Sequence, residues 1–423
     1  MRRTVVLRLR PDRETEKRLR ELCDLASRLW NEITYVRRRQ FFEKRGVDLR
    51  GTYKAFYEKY KKLLGSVTTQ QVLNKNDEAW RSFFALLKLK KEGRLPPHIE
   101  KINPPGYKKR SRRKRKLWVV LRKDQYRIEG RTIYVRCVGP FGPLRIEFSG
   151  RIHIDGEQGR AEIWYDSDRR RWYIAITFTV KRKIVDGEWR EVPLKPRGNL
   201  AAGIDIGVNN LMAIYVENGT SFLVNGRPLK AEAFYWRKRI ASYKSMLDKQ
   251  MGRPSTSRRL RAMYRRWRLR AKHYIDSAVR KVMRTLYELG VSRVFVGYPK
   301  YIARNVSGNP RINFEIVNAW SYRYLVERLK HVGEEYGIQV IEVDEKGTSM
   351  RCPLCGEIHR NARVFRGLYV CPRHRKAMNA DIVAAFNILI RGLGRSITPS
   401  LHGLATPRPL EVGVTPPRPG AGA

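Results

Sequence analysis

The sequence predicts a multidomain α/β protein, and three observations predict it. Apolar residues alternate with period two at positions 3–10 and again in short runs between 117 and 194, the pattern of half-buried strands. Between 200 and 344, strand-like apolar runs alternate with long helical ones. Finally, Cys352 and Cys355, then Cys371 and His374, form two ligand pairs with the spacing of a zinc ribbon. At 423 residues and 42% hydrophobic content the chain can build two or three cores. Lys and Arg number 89 against 40 acids, a formal charge of +49 that repels itself unless a polyanion is the usual partner. Nucleic acid is that partner class; a protein that only coats RNA or DNA is the alternative that composition leaves open.

Taken in order, strand 3–10 is followed by Asp12, an N-cap residue, and a run with apolar positions three and four apart, which predicts a long helix. Further helices are expected over 53–64 and 69–89. The stretch 93–116 carries four prolines and the run KKRSRRKRK, a loop with a cationic stripe. Residues 117–194 read as short strands between Gly and Asp turns, giving a β-barrel of 1–10 with 117–194 and a helical lobe over 11–116. A second α/β domain is expected over 195–346 with 376–395. It holds strand runs around GIDIGVNN and SFLVNG, a basic helical region 236–289, a strand 291–299, a helix 319–337 and a strand 338–344. The ribbon fills 347–375, and the Pro-, Gly- and Thr-rich tail 396–423 is expected to be disordered.

Three of the five cysteines sit in the ribbon, and Cys23 and Cys137 lie far apart in apolar runs, which fits metal thiolates in a reducing cytoplasm. No window approaches the ~20 apolar residues of a membrane span, so a soluble, cytoplasmic protein without membrane contact is expected. In the ribbon, Zn2+ is expected on Cys352, Cys355, Cys371 and His374, with His359 read as a solvated loop residue that could compete.

Asp205 lies inside the hydrophobic strand AAGIDIGVNN, where an ionised carboxylate is costly unless a metal or cation stabilises it. In an RNase H-like fold such an Asp works with an acid on a neighbouring parallel strand and a third on a later helix. Together they hold two Mg2+ (or Mn2+) ions ~4 Å apart for phosphodiester hydrolysis. A capping role for Asp205 is the structural alternative. The usual place for the second acid is Gly297. The following strand ends in acids only ~5 Å sideways, so Glu345 is expected to fill the place. Glu342 lies deeper, Asp344 has the opposite parity, and Glu315 is a weaker loop substitute. Asp381, in NADIVAAFNIL, supplies the third carboxylate; a dipole-favoured helix start is the alternative. Asn209 reads either as a substrate-positioning residue or as part of an Asx turn.

Together these segments resemble TnpB (OrfB), the RNA-guided nuclease family of insertion sequences related to type V CRISPR effectors. GIDIGVNN matches its first RuvC motif, TSMRCPLCG with CPRH its ribbon, and NADIVAAFNIL its third motif, over residues 200–390. The resemblance implies a RuvC-like nuclease domain, a wedge-like barrel and a recognition lobe. It also implies a guide RNA and a target DNA as partners, a short protein-read motif beside the target, and association with the nucleoid when bound to DNA. Two departures stand out: Gly297 in place of the usual Glu, and His374 in place of a Cys. Some members of the wider group carry a glutamate displaced to the next strand, in agreement with Glu345. Gly297 also motivates the alternative of a nuclease-inactive RNA-guided DNA binder, a repressor. A strand transferase has no support, since no HxH pair with a positioned tyrosine is present.

Phosphate contacts are expected from Lys108, Lys109, Arg110, Arg112, Arg113 and Lys114, and from Arg258, Arg259, Arg261, Arg265, Arg266 and Arg268. Tyr264 and Trp267 sit among the second group, where core packing of an amphipathic helix competes with base stacking.

Overall fold

The computed structural model describes all residues except 97–98, 100, 110–114, 299–312, 315–320, 366 and 414–423. The chain divides into two compact units, Met1–Glu191 and Val192–Ala423.

In the first unit, β1 (Arg2–Arg10) lies in the middle of an antiparallel sheet. The other strands are β2 (Trp118–Leu121), β3 (Tyr126–Glu129), β4 (Thr132–Val135), β5 (Leu144–Ser149), β6 (Ile154–Asp166), β7 (Arg171–Val185) and β8 (Glu188–Glu191). Their order is β2-β6-β7-β1-β5-β4-β3, with β8 on β7, a barrel-like layout. Helix α1 (Arg13–Phe42) starts where Asp12 accepts the Thr15 N–H at 2.8 Å. It buries Leu19, Leu22, Cys23, Ala26, Leu29, Trp30 and Ile33 at helical spacing. Helices α2 (Leu49–Leu64) and α3 (Ser66–Lys91) join it around Arg37. That guanidinium is fully buried and meets Asp77 at 2.7 Å, Asn76 Oδ1 at 2.7 Å and Thr52 Oγ1 at 2.9 Å. A buried arginine this well partnered fixes register among three helices, and removing one partner would leave an uncompensated charge.

The second unit is built on a mixed six-stranded sheet in the order β13-β12-β9-β10-β11-β17. Strands β9 (Leu200–Asp205), β10 (Asn210–Val216) and β11 (Ser221–Asn225) form an antiparallel meander; β12 (Val291–Gly297) and β13 (Gln339–Val343) add in parallel beside β9. Helices α4 (Arg227–Met251) and α5 (Arg258–Glu288) form a hairpin, and α6 (Tyr322–Glu335) leads back to β13. The single basic helical region expected from sequence is thus two helices. It breaks because Gly252 ends α4 in the left-handed conformation at φ 62°, Pro254 follows, and Ser257 caps α5 through the Leu260 N–H.

A small sheet of β14 (Arg363–Phe365), β15 (Leu368–Val370) and β16 (Ala377–Asn379) precedes α7 (Ala380–Leu393). Helix α7 lies directly on β9. A Cβ on Gly203 would fall 2.1 Å from the Ala385 carbonyl, so only glycine permits that approach.

The tail departs from the expected disorder. Helix α8 (Leu401–Ala405) buries Leu404 completely, Ser221 Oγ donates to the Gly403 carbonyl, and Ser400 N–H donates to Tyr215 Oη at 2.9 Å. Strand β17 (Arg408–Pro409) then pairs in parallel with β11. Composition counts prolines and glycines; it does not register one leucine and a sheet edge able to take another strand.

Candidate metal centres

Two tight turns shape the first centre. The Gly356 N–H bonds the Cys352 carbonyl at 2.9 Å, and the Arg375 N–H bonds the Cys371 carbonyl at 2.8 Å. These turns bring Cys352, Cys355, Cys371 and His359 together, with all four ligand atoms within 4.8 Å of one another. Cys355 Sγ lies 3.1 Å from His359 Nε2 and 3.9 Å from Cys371 Sγ. The histidine that joins the three sulfurs in this group is His359, not the His374 expected from sequence. His374, on an exposed stretch of the second turn, donates its N–H to Cys371 Sγ at 3.4 Å and sets Nδ1 3.4 Å from the same sulfur. His359 is brought inward because its N–H bonds the Met350 carbonyl at 3.0 Å and its side chain is only 16% exposed. Three sulfurs and one imidazole are the donor set of a closed, tetrahedral Zn2+ site. Burial would push the Cys371 thiol up, yet hydrogen bonds from the His374 N–H and ring, and from Cys352, hold it down at about 6, in the thiolate form a metal requires.

The second centre lies at the carboxyl ends of β9, β12 and β13. Val296 pairs with Ile204, so Gly297 stands level with Asp205, and Gly297 pairs with Val343 on the far side. Glu345, two residues beyond Val343, folds back over the glycine. A Cβ built on Gly297 would lie 3.3 Å from Glu345 Oε2 and 3.3 Å from Glu345 Cβ. Asp205 is pushed up to about 7 by burial first, then by the charges of Asp381 and Glu345, with Arg363 pulling the other way. Glu345 is also pushed up to about 7, by burial and by Asp344. Asp381 sits in the first turn of α7, where Asn379 caps the helix by accepting the Asp381 N–H at 3.0 Å. Its two oxygens are held by Asn210 Nδ2 at 2.8 Å and by an Arg363 guanidinium nitrogen at 2.7 Å.

The three carboxylates do not close into a group as tight as the sulfur–imidazole cluster. Arg363 and Asn210 hold one of them, Asp381. They are hard oxygen donors, Asp205 on β9, Asp381 on α7 and Glu345 just past β13, of the kind that Mg2+ or Mn2+ takes. The rejected alternatives are accounted for: Glu342 is paired with Arg323 at 3.0 Å and Lys330 at 2.6 Å, Asp344 is exposed, and Glu315 lies outside the described residues.

Sequence reasoning missed two residues here. It weighed Asn209, whose carbonyl instead accepts the Gly226 N–H, while its neighbour Asn210 reaches Asp381. The doubled asparagine at a strand start was the available signal. Arg363 had none, since it reaches Asp381 from the ribbon. The two centres are also tied together: Asn387 Nδ2, buried on α7, donates to the carbonyls of Thr348 and Arg351 at 2.7 Å each, on the segment that enters the ribbon.

The cationic residues divide. Lys108 is not a surface contact: its ammonium lies 4.0 Å from the Trp118 ring and 4.6 Å from the Trp30 ring, and burial lowers its pKa. Lys109 is exposed, and Arg110, Arg112, Arg113 and Lys114 lie outside the described residues. Arg258, Arg259, Arg261, Arg266 and Arg268 are exposed on α5, and Arg265 is half-buried. Trp267 packs into the helical hairpin, whereas Tyr264 is exposed.

Residues 180–303 match the family model described as a probable transposase of the OrfB type, and residues 322–388 match a Cas12f1-like TNB domain. The chain is 38% identical over 410 residues to the TnpB-like protein ORF457 of Acidianus two-tailed virus, covering 93% of this chain and 87% of that protein. It is 23% identical over 279 residues to the CRISPR-associated endodeoxyribonuclease Cas12f1 of Sulfoacidibacillus thermotolerans, covering 64% of this chain and 60% of the relative. Among solved structures it is similar to Cas12f1 in a complex with guide RNA and target DNA, with a TM-score of 0.60 at 13% identity over 92% of this chain and 98% of that one.

Proposed function

Because this chain belongs to the TnpB-like family, we propose that it is an RNA-guided, metal-dependent DNA endonuclease in which Asp205, Glu345 and Asp381 form the nuclease centre. The observation that carries the reading is Glu345 lying over Gly297, with Oε2 3.3 Å from where a side chain on that residue would begin. A carboxylate thus stands beside Asp205 although the strand that usually provides it ends in glycine.

Asp205, Glu345 and Asp381 would hold divalent cations, whose chemistry would supply an activated water and a stabilised leaving oxygen for phosphodiester hydrolysis. The protein's part is to hold the ligands ready. Asp205 and Glu345 sit with pKa values near 7, so incoming positive charge displaces a proton at modest cost. Asn210 fixes the orientation of Asp381, and Arg363 balances its charge until cation or phosphate arrives. Base pairing by the guide RNA would select the DNA, with the protein reading only a short adjacent motif and the strands' backbones. The zinc cluster is structural in this scheme and holds the ribbon that carries Arg363.

The test is to purify the protein with its co-expressed RNA, sequence that RNA, and incubate the complex with a plasmid library carrying the matching target beside randomised flanks. Cleavage dependent on Mg2+, and lowered at least a hundred-fold by Glu345→Ala, is expected. Cleavage unaffected by Glu345→Ala removes Glu345 from the centre. Guided binding without any cleavage would favour the repressor, the reading motivated by Gly297.

A further inference from the structure

The α4–α5 hairpin contains a groove of about 560 Å³ that the nuclease centre does not use, lined by residues of both helices. Its wall includes Trp236, Tyr243, Met246 and Met263, and its rim includes Lys238, Arg239, Arg259 and Arg266. No carboxylate lines it. The acids nearest in sequence are engaged elsewhere: Glu232 holds Trp236 Nε1 at 2.9 Å and Arg270, and Asp248 holds Lys244 at 2.7 Å and the Ser255 N–H at 2.7 Å. Two features distinguish the groove from an ordinary cationic surface. Met246 is 46% exposed at its edge, apolar area without an intramolecular cover. The Arg259 guanidinium lies 5.1 Å from the centre of the Tyr243 ring, and Tyr243 Oη is anchored 3.3 Å from Ser257 Oγ. A braced aromatic ring with a planar cation beside it, over a polarisable methionine floor and within a positive rim, suits an unpaired nucleobase between two phosphates.

The groove lies apart from the proposed nuclease centre. Helix α4 begins just after Asn225, which pairs with Asn210, the residue that holds Asp381. At 1.5 Å per residue, Trp236 to Met246 lie about 14 to 28 Å along the helix from that end. A nucleotide held there lies well away from the proposed nuclease centre. Ser242, also in the lining, adds a hydroxyl able to bond a ribose 2′-OH. We propose that this groove binds an unpaired base of the resident RNA, stacked at Tyr243 and Arg259, with Lys238, Arg239 and Arg266 on the flanking phosphates. The inference rests on the RNA-guided reading for the presence of that RNA.

The test uses the full chain and measures fluorescence anisotropy with 12-nucleotide oligouridylate, oligothymidylate DNA and an RNA duplex of equal length, at salt high enough to suppress charge-only binding. Tyr243→Ala should weaken oligouridylate binding between about five-fold and a hundred-fold, the range for one lost base stack. Tyr243→Phe, which keeps the ring, should bind as the parent does and guards against misfolding as the explanation. Arg259→Lys keeps the charge and loses the plane, and should fall between the two. Lys249→Ala, on the same helix outside the groove, should have no effect. Oligouridylate binding unchanged by Tyr243→Ala and Arg259→Lys overturns the proposal; so does an equal loss on the duplex, which would mark a charged surface, or on DNA, which would mark a groove without preference for RNA. No arm requires cleavage, so absence of nuclease activity would count against the proposed function and leave this result standing.

Discussion

At the scale of single residues, Gly297 and Glu345 occupy one place, since a side chain on the glycine would begin 3.3 Å from Glu345 Oε2. Gly297→Glu alone should lower cleavage, because the new Cβ would sit 2.6 Å from Ile388 Cδ1 and crowd Glu345. In a Glu345→Ala background the same change should recover at least ten-fold of the lost rate, since the carboxylate returns from the other strand; a double variant no better than Glu345→Ala would show that the two places are not equivalent. Protonation gives a second outcome. The folded-state pKa of Asp205 is raised to about 7, so its contribution to stability is fully present below the unfolded value near 4 and is lost as pH rises through 7, on the order of 4 kcal/mol. Protein without added Mg2+ should therefore melt lower at pH 8 than at pH 5, added Mg2+ should help chiefly at the higher pH, and Asp205→Asn should flatten the dependence. For zinc, His359→Ala should reduce the bound metal measured by mass spectrometry and His374→Ala should not. Asp205, Glu345 and Asp381 stand out in sequence as candidates because an acid in an apolar run, or at a strand end, is conspicuous, and the structure sets Glu345 over Gly297. The histidine does not stand out, because both candidates stand a few residues from a cysteine, and only the turn's path decides which ring points inward.

Elements were legible where periodicity was long and uninterrupted. The run after Asp12 folds as α1, and the strands at 200–205 and 291–297 form the parallel pair that the apolar pattern suggests. Reading failed where a short segment depends on its neighbours. The tail helix α8 is five residues long, too short to hold itself, and is held by buried Leu404, by the Ser221 hydroxyl donating to the Gly403 carbonyl and by the Ser400 N–H donating to Tyr215 Oη. Leu404→Ala should cost about 2–4 kcal/mol of the second unit's stability in urea unfolding. A variant with unchanged unfolding would mean that the tail is not part of that unit. Strand β17 also covers the outer edge of β11, where an open row of backbone groups would invite pairing with another chain.

At the scale of the molecule, the charge of +49 makes association with any nucleic acid steeply salt-dependent, and the slope of log affinity against log salt counts the phosphates engaged. Neutralising Arg266 should reduce that slope by about one, whereas Tyr243→Ala should leave it unchanged while lowering affinity. Charge composition alone predicts this general property, but cannot tell Lys108, beside two indoles, from the exposed arginines of α5. The displaced glutamate has a wider consequence. Glu345 enters the ribbon segment seven residues before Cys352, Arg363 lies within it, and Asp381 follows it, so the same thiolates brace both approaches to the proposed centre. An oxidant that converts those sulfurs to disulfide or sulfenic acid would eject zinc and slacken the loop. If the proposed cleavage holds, it should then fall under peroxide and return with reductant and zinc, a redox sensitivity carried by cysteines outside the proposed carboxylate centre.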